Sequence, residues 1–257
     1  MSNFLYANDR RATYPSSWYA ESVDETTRRA RLDMPVSCDV CIIGAGFTGL
    51  STALHLAQKG FTVIVLEAHR VGFGASGRNG GQMGSGLNYD QQKLEKAMGR
   101  DAAHQLWEMT QEAKSLTRSL IAQYAPESGY KPGVAEASFS QKDSDASHAK
   151  ADYLAKHYGY TEIECLDKSA VLNLIKSSRY SGGILDWGAG HLHPLRYALG
   201  LAKAAEVAGT IIYEDSAVEQ VQDGTPSIVH TKHGQVKAGY VVHATNGYHG
   251  SLNHKQA

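Results

Sequence analysis

Gly44, Gly46 and Gly49 stand in a G-x-G-x-x-G spacing directly after the apolar run Asp39–Ile43, and the next apolar run, FTVIVLE, ends on Glu67. These residue types suit a dinucleotide. The first glycine permits a tight turn, the second lets the main chain approach a pyrophosphate, and the third lets helix and strand pack closely. The helix that the motif opens offers N–H groups and a partial positive charge to phosphate oxygens. A carboxylate at Glu67 can accept hydrogen bonds from both hydroxyls of an adenosine ribose and repels a 2′-phosphate, which disfavours NADP.

A second glycine-rich stretch follows at once, AHRVGFGASGRNGGQ, from Ala68 to Gln82. An NAD dehydrogenase leaves it unexplained. FAD is a longer ligand, with a ribityl chain and a three-ring flavin, and close main-chain approach from Gly74 to Gly81 suits that extension. Arg78 has two readings of equal weight: a structural salt bridge, or a cation that neutralises a substrate carboxylate or favours an anionic reduced flavin. Ser76 does not sit in a G-x-S-x-G nucleophile elbow, so Ser-His-Asp hydrolysis has no support. Cys38 and Cys41 form a C-x-x-C, but they enter an apolar strand rather than a helix and no second pair exists; core packing is expected, not zinc. His191 and His193 flank Leu192 and on an extended strand would face one way. No carboxylate partners are evident, so no metal is expected.

The elements that must position these groups read as follows. Asp39–Ile43 and FTVIVLE are short apolar strands of the kind buried in a parallel sheet. Residues 47–59 form a helix with Leu50, Ala53, Leu54 and Ala57 on one face and Gly60 as its stop. This is a βαβ unit with a right-handed crossover. Residues 101–124 form a long scaffold helix, with Leu106, Met109, Ala113, Leu116 and Leu120 as its apolar stripe. A strand near 133–140 and a polar helix over 143–158 follow. YSGGILDWGAGHLHP reads as a strand and a glycine-rich loop, and Pro194 opens a helix through Ala208 that Gly209 ends. From Thr210 the pattern changes to short strands, with turns at Asp223-Gly224 and His233-Gly234. Residues 1–36 read as an irregular arm.

The chain has 257 residues, 42% of them apolar, with a formal net charge of -1. That charge gives no electrostatic case for nucleic acid. No signal peptide and no run of about twenty apolar residues is visible, so no membrane span is expected. Three cysteines without a secretory signal suggest reduced thiols and a cytoplasmic protein.

From about Ser37 to Tyr248 the sequence resembles the FAD-dependent amine and amino-acid oxidoreductases related to D-amino acid oxidase and sarcosine oxidase. The runs CDVCIIGAGFTGLSTALHLAQKGFTVIVLEAHRVGFGASGRNGGQ and YSGGILDWGAGHLHPLRYALGLAKAAEVAG carry the likeness, which is strongest to the branch that oxidises γ-glutamylputrescine. The resemblance implies an α/β fold, with a Rossmann-like FAD-binding domain (37–90 and 190–250) interleaved with part of an α+β substrate domain (91–189). It places the pyrophosphate on Gly44, Gly46, Phe47, Thr48 and Gly49, and the ribose on Glu67 and Ala68. Gly74, Ala75 and Ser76 would lie on the phosphates, and Arg78, Asn79, Gly80, Gly81 and Gln82 toward the flavin. Val218 would meet adenine, and Ala244, Thr245 and Asn246 form a later turn near the cofactor. The implied reaction oxidises the CH–NH bond of a small amine, with hydride transfer to non-covalent FAD and reoxidation by oxygen. γ-Glutamylputrescine is the substrate suggested, with sarcosine or glycine as the alternative. In the family a further segment follows ATNGY, so a non-catalytic FAD-binding fragment is the rival reading.

Overall fold

The computed structural model describes residues 10–24, 28–249 and 252. The chain divides into two compact units, the first from Met1–Gly80, Leu120–Ser128 and His193–Ala257, the second from Gly81–Ser119 and Gly129–Leu192.

The first unit is built on a six-stranded sheet. Its parallel part comprises β1 (Pro35–Ile43), β2 (Val63–Leu66), β7 (Ile211–Tyr213) and β10 (Gln235–His243), in the order β7-β2-β1-β10. β9 (Ser227–Thr231) and β8 (Val218–Gln222) continue the sheet antiparallel beyond β10. The last four residues of β1 and all of β2 are apolar and buried: helix α2 (Phe47–Gln58) packs against both strands, helix α7 (Pro194–Val207) packs on α2 and β7, and Leu32, Val229 and Val236 cluster with Cys41, Ile43, Ile64 and Leu66. α2 buries Leu50, Ala53, Leu54 and Ala57, the face read from the sequence. α7 begins on a proline at its first turn and ends before Gly209, whose φ is +102°.

One expectation for this unit needs correction and another needs extension. β1 starts at Pro35, not Asp39, because its first half pairs with β10 from Pro35 opposite Gln235 onward; only its last four residues are continuously buried, and those alone gave a strand signal. The described part of residues 1–36 is largely irregular ahead of β1, as expected, but it is tied to the sheet. It contains a short helix, α1 (Trp18–Glu21), and Leu32 is wholly buried in the sheet's apolar cluster.

The second unit carries a sheet in which β6 (Gly182–His191) is central. β4 (Lys131–Ser138) flanks one side of it; β5 (Ile163–Leu166) and β3 (Gln82–Met83) pair with its other edge. α3 (Gln91–Met98), most of α4 (Arg100–Tyr124), α5 (Gln141–Tyr158) and α6 (Lys168–Ile175) complete it. β6 runs unbroken through WGAGH, where a loop was expected. Its glycines serve packing: a Cβ on Gly188 would lie 1.9 Å from the Tyr160 hydroxyl, and one on Gly183 2.1 Å from the Glu136 carbonyl. α4 is present, but of the expected face only Leu120 is buried, with Leu106 half-buried. Met109, Ala113 and Leu116 are exposed, while Ala103, Trp107 and Lys114 point inward. The physical reason is Lys114: its ammonium donates to Ser85 Oγ at 2.9 Å and to the Tyr160 hydroxyl at 3.2 Å, so a charged residue occupies the inner face. α3 and α6 were not anticipated, although Asp90 and Asp167 cap them by accepting from the N–H groups of Lys93 and Ala170.

Candidate functional site

At the carboxyl ends of β1, β2 and β10, the first unit opens a cavity of about 350 Å³. Ligands in open α/β sheets bind at this end of the strands. The turn after β1 and the start of α2 supply Gly44, Gly46, Phe47 and Thr48 to its wall. Glu67 and Ala68 come from the end of β2, and Gly74, Ala75, Ser76 and Arg78 from the second glycine-rich loop. Val218 of β8 and Ala244, Thr245 and Asn246 after β10 close the far side. Of the other residues singled out, Gly49, Asn79 and Gly80 do not line the cavity, and Gly81 and Gln82 belong to the second unit. Gln82 sits in β3 opposite His191. The Asn79 side chain donates to the carbonyls of Ala75 and Ser76, both at 3.0 Å, and so braces its own loop. Sequence reasoning missed His69, Phe73, His243, Tyr248 and Leu252, which with the strand ends Ile43 and Leu66 complete the described wall. His69 and Phe73 stack with ring centroids 3.8 Å apart, and the Arg78 guanidinium lies 4.7 Å over the Phe73 ring. An H-x-x-x-F spacing in a loop carries no such signal by itself.

The glycines divide into those that meet protein and those that face the cavity. A Cβ on Gly49 would lie 1.9 Å from the Gly44 carbonyl, and one on Gly44 2.6 Å from the Ala244 carbonyl, with φ at Gly44 of +107°. Gly72 and Gly77 repeat the first arrangement, with 2.2 Å from a Gly77 Cβ to the Gly72 carbonyl. At Gly74 the nearest atom to a Cβ is Tyr248 Cε2 at 3.8 Å, so here the absent side chain leaves cavity space.

Among the described residues, Glu67 is the one acid in the wall. Its Oε2 accepts from the Ala45 N–H at 2.8 Å and its Oε1 from the His69 N–H at 2.9 Å. Those donors fix the carboxylate and leave its remaining lone pairs for hydroxyl donors. Burial lifts its pKa above the ordinary carboxylate value, against the pull of these N–H groups; Glu214 nearby adds a smaller push in the same direction.

α2 has no side-chain cap at Gly46. Ser76, from the second glycine-rich loop, supplies one: its Oγ accepts the Phe47 N–H at 3.0 Å. The hydroxyl proton remains available for an anion in the cavity. Ser76→Ala is therefore expected to weaken binding of a pyrophosphate ligand about 10-fold, with Ser76→Thr close to the parent, since one cap hydrogen bond and one ligand hydrogen bond are lost together. Titration with FAD, followed by fluorescence quenching, measures this; equal affinity in Ser76→Ala would reject the assignment.

The remaining candidates have structural places. Burial pushes the Cys38 thiol up to about 11 and the Cys41 thiol higher still, so both are weak nucleophiles packed in the sheet. His191 is an exposed residue of β6. His193 is buried as the N-cap of α7, its Nδ1 accepting the Arg196 N–H at 3.1 Å and its Nε2 lying 2.9 Å from Ser22 Oγ. Burial lowers its pKa, and the Arg196 charge acts the same way, so the neutral form that caps the helix is favoured. Among the described residues, no three of His, Cys, Asp and Glu are grouped to hold a metal. None of the described helices is long and apolar enough to cross a membrane. In the second unit Ser85, Tyr160 and Lys114 lie within hydrogen-bonding distance of one another, a set that can serve proton transfer. Here the phenol donates to Asp186 Oδ1 at 2.6 Å, and burial together with that bond raises its pKa strongly, so it is no ready acid at neutral pH.

A strand-turn-helix cradle, a fixed acid at the end of the next strand and a second glycine-rich loop define a dinucleotide-binding protein of the Rossmann kind. Residues 39–256 match the family model described as FAD dependent oxidoreductase, and the chain belongs to that family. FAD is the cofactor of this family. The gamma-glutamylputrescine oxidoreductase of Escherichia coli is 42% identical over 238 residues, covering 92% of this chain and 55% of that protein. A probable oxidoreductase, OrdL, of Haemophilus influenzae is 39% identical over 249 residues, covering 96% of this chain and 57% of that protein. The chain thus spans about half the length of the curated relatives it matches. The crystal structure of glycine oxidase from Geobacillus kaustophilus superposes with a TM-score of 0.68 at 21% identity, over 81% of this chain and 55% of that one, which shows a shared fold.

Proposed function

We propose that the cavity holds the adenosine and pyrophosphate portion of FAD, and that the chain is the cofactor-binding part of an oxidase of small amines. The observation that carries this is Glu67, an acid of the cavity wall held at the end of β2 by main-chain N–H donors that include those of Ala45 and His69. In this reading Glu67 accepts the ribose hydroxyls, α2 and Ser76 face the pyrophosphate, and Val218 borders the adenine. Arg78, over Phe73, stands at the side of the cavity toward the flavin. When bound, FAD supplies the two-electron acceptor for oxidising a CH–NH bond and passes those electrons to oxygen as hydrogen peroxide. Hydrolysis of the resulting imine gives an aldehyde and ammonia, or an amine where the substrate nitrogen carries a second carbon. γ-Glutamylputrescine is the favoured substrate, on the likeness to the E. coli protein of that name; sarcosine and glycine are the alternatives.

A second reading, FAD binding without turnover by this length of chain, rests on its spanning 55% of that relative. One experiment separates the readings. The purified chain is loaded with FAD, its visible spectrum is recorded, and peroxide formation is followed with γ-glutamylputrescine, sarcosine and glycine. A flavin spectrum with peroxide from γ-glutamylputrescine supports the first reading, and the spectrum without peroxide supports the second. No flavin binding would overturn both. Acid precipitation is expected to leave the yellow colour in solution, because the loop GASGRNGGQ contains no histidine for covalent attachment.

A further inference from the structure

We propose that the described residues ahead of the family-matched region, 10–24 and 28–33, form a strap that positions the cofactor wall, with Tyr14 and Arg29 as positioning residues for the FAD site. The proposal rests on the reading that the cavity takes FAD. The family match begins at residue 39, so the strap lies outside it.

The wall in question is the irregular run from Glu67 to Phe73. A run of that kind has no ladder partners, so its main-chain groups must be satisfied by other segments. The strap supplies several of them. The Tyr14 hydroxyl donates to the Val71 carbonyl at 2.7 Å, and the Arg70 guanidinium lies 4.8 Å over the Tyr14 ring. The Ala12 N–H donates to His69 Nδ1 at 3.2 Å, while the His69 main-chain N–H donates to Glu67 Oε1 at 2.9 Å. One histidine thus joins the strap to the ribose-binding acid, and its ring stacks flat on Phe73 at 3.8 Å.

A second tie passes through Glu214, which is 3% exposed. It accepts the Val71 N–H at 2.9 Å and is paired with Arg70 at 3.4 Å. From the strap, Arg29 reaches the same carboxylate at 3.4 Å and is anchored on Glu206 at 2.6 Å. The buried acid is therefore held between the strap and the wall. A carboxylate so placed loses its geometry when one partner is removed. Displacing the strap frees the Val71 carbonyl, releases His69 and loosens Glu214, and all three changes fall on the run that carries Glu67 and Phe73.

The test compares Tyr14→Phe and Arg29→Gln with the full parent chain, and with Trp18→Ala as control. Trp18 lies in the same strap but touches His193 and Tyr19 rather than the wall. Two quantities are read: the FAD dissociation constant, and amide hydrogen exchange of residues 67–74 in the cofactor-free protein. Tyr14→Phe is expected to weaken FAD about 5-fold, the effect of one well-made hydrogen bond, and to speed exchange in 67–74. Arg29→Gln is expected to do more, and Trp18→Ala to change neither. A strap with a merely structural role would lower thermal stability and leave the FAD constant and the local exchange unmoved; that result in Tyr14→Phe overturns the proposal. Equal weakening by Trp18→Ala also overturns it. Should the parent bind no FAD, the reading of the cavity fails, and the exchange data then show separately whether the strap orders the wall. If Arg29→Gln does not fold, Tyr14→Phe, which deletes a single oxygen, decides alone.

Discussion

Replacing Glu67 with alanine is expected to weaken FAD binding about 100-fold, the equivalent of ~3 kcal/mol for charge-assisted hydrogen bonds to two ribose hydroxyls. The same change leaves the N–H groups of Ala45 and His69 without their acceptor, so the phosphate turn and the cavity wall lose a common anchor. Glu67→Gln should not rescue it. An amide has one acceptor oxygen, and its NH₂ would then face one of the two main-chain donors. Affinity should also depend on pH, and the sign follows from the site. Burial raises the Glu67 pKa, so the cofactor-free protein binds a proton there above the ordinary carboxylate range. Ribose hydroxyls favour the ionised form, so binding expels that proton, and FAD affinity should rise with pH through the raised pKa before levelling off. In the folded, cofactor-free chain the same raised pKa makes a contribution to stability that declines as pH increases across that window. Fluorescence titration of parent and variant between pH 5 and 8 measures both effects on binding. An alanine variant with parental affinity, or a parent whose affinity falls as pH rises, would refute the ribose assignment.

Much of the cavity was legible because its signals are local. Gly44, Gly46, Gly49 and Glu67 lie within one βαβ unit, where spacing along the chain translates directly into spacing in the sheet. What the glycines are for was legible only in part. Gly49, Gly44 and Gly77 make room for neighbouring carbonyls, and the space left for a ligand is found at Gly74. Which backbone a glycine meets depends on partners distant in sequence, such as Ala244 opposite Gly44. α4 shows the same limit. Its period was correct, but of its expected inward face only Leu120 is buried, since an apolar stripe cannot report that Lys114 has Ser85 and Tyr160 waiting inside. The role of the N-terminal segment was hidden for a related reason. Tyr14 and Arg29 have no periodic pattern, and their partners, Val71 and Glu214, lie far along the chain.

Gly49→Ala carries the largest expected loss of stability, about 3 kcal/mol or more, and its sign can be argued against a competing effect. Gly49 lies inside α2, where alanine has the better intrinsic propensity by about 1 kcal/mol. On propensity alone the change stabilises. The added Cβ, however, would lie 1.9 Å from the Gly44 carbonyl oxygen and 3.3 Å from Ile42 Cγ2. The first atom is backbone and cannot turn aside as a side chain can, so α2 must move off β1, and overpacking of that kind outweighs propensity. Moving α2 also draws the Phe47 N–H from Ser76 and the Ala45 N–H from Glu67, so FAD affinity should fall with stability. Gly60→Ala supplies the contrast. Its φ of +89° strains any side chain, but nothing lies within 4 Å of the new Cβ. It should cost about 1 kcal/mol, the penalty of a left-handed backbone, with FAD binding unchanged. Urea denaturation of the two variants and the parent, each with and without FAD, measures the difference. A Gly49→Ala chain as stable as the parent would mean that the contact of helix α2 with the turn after β1 is looser than these distances require, and that the third glycine of the motif is not there for packing.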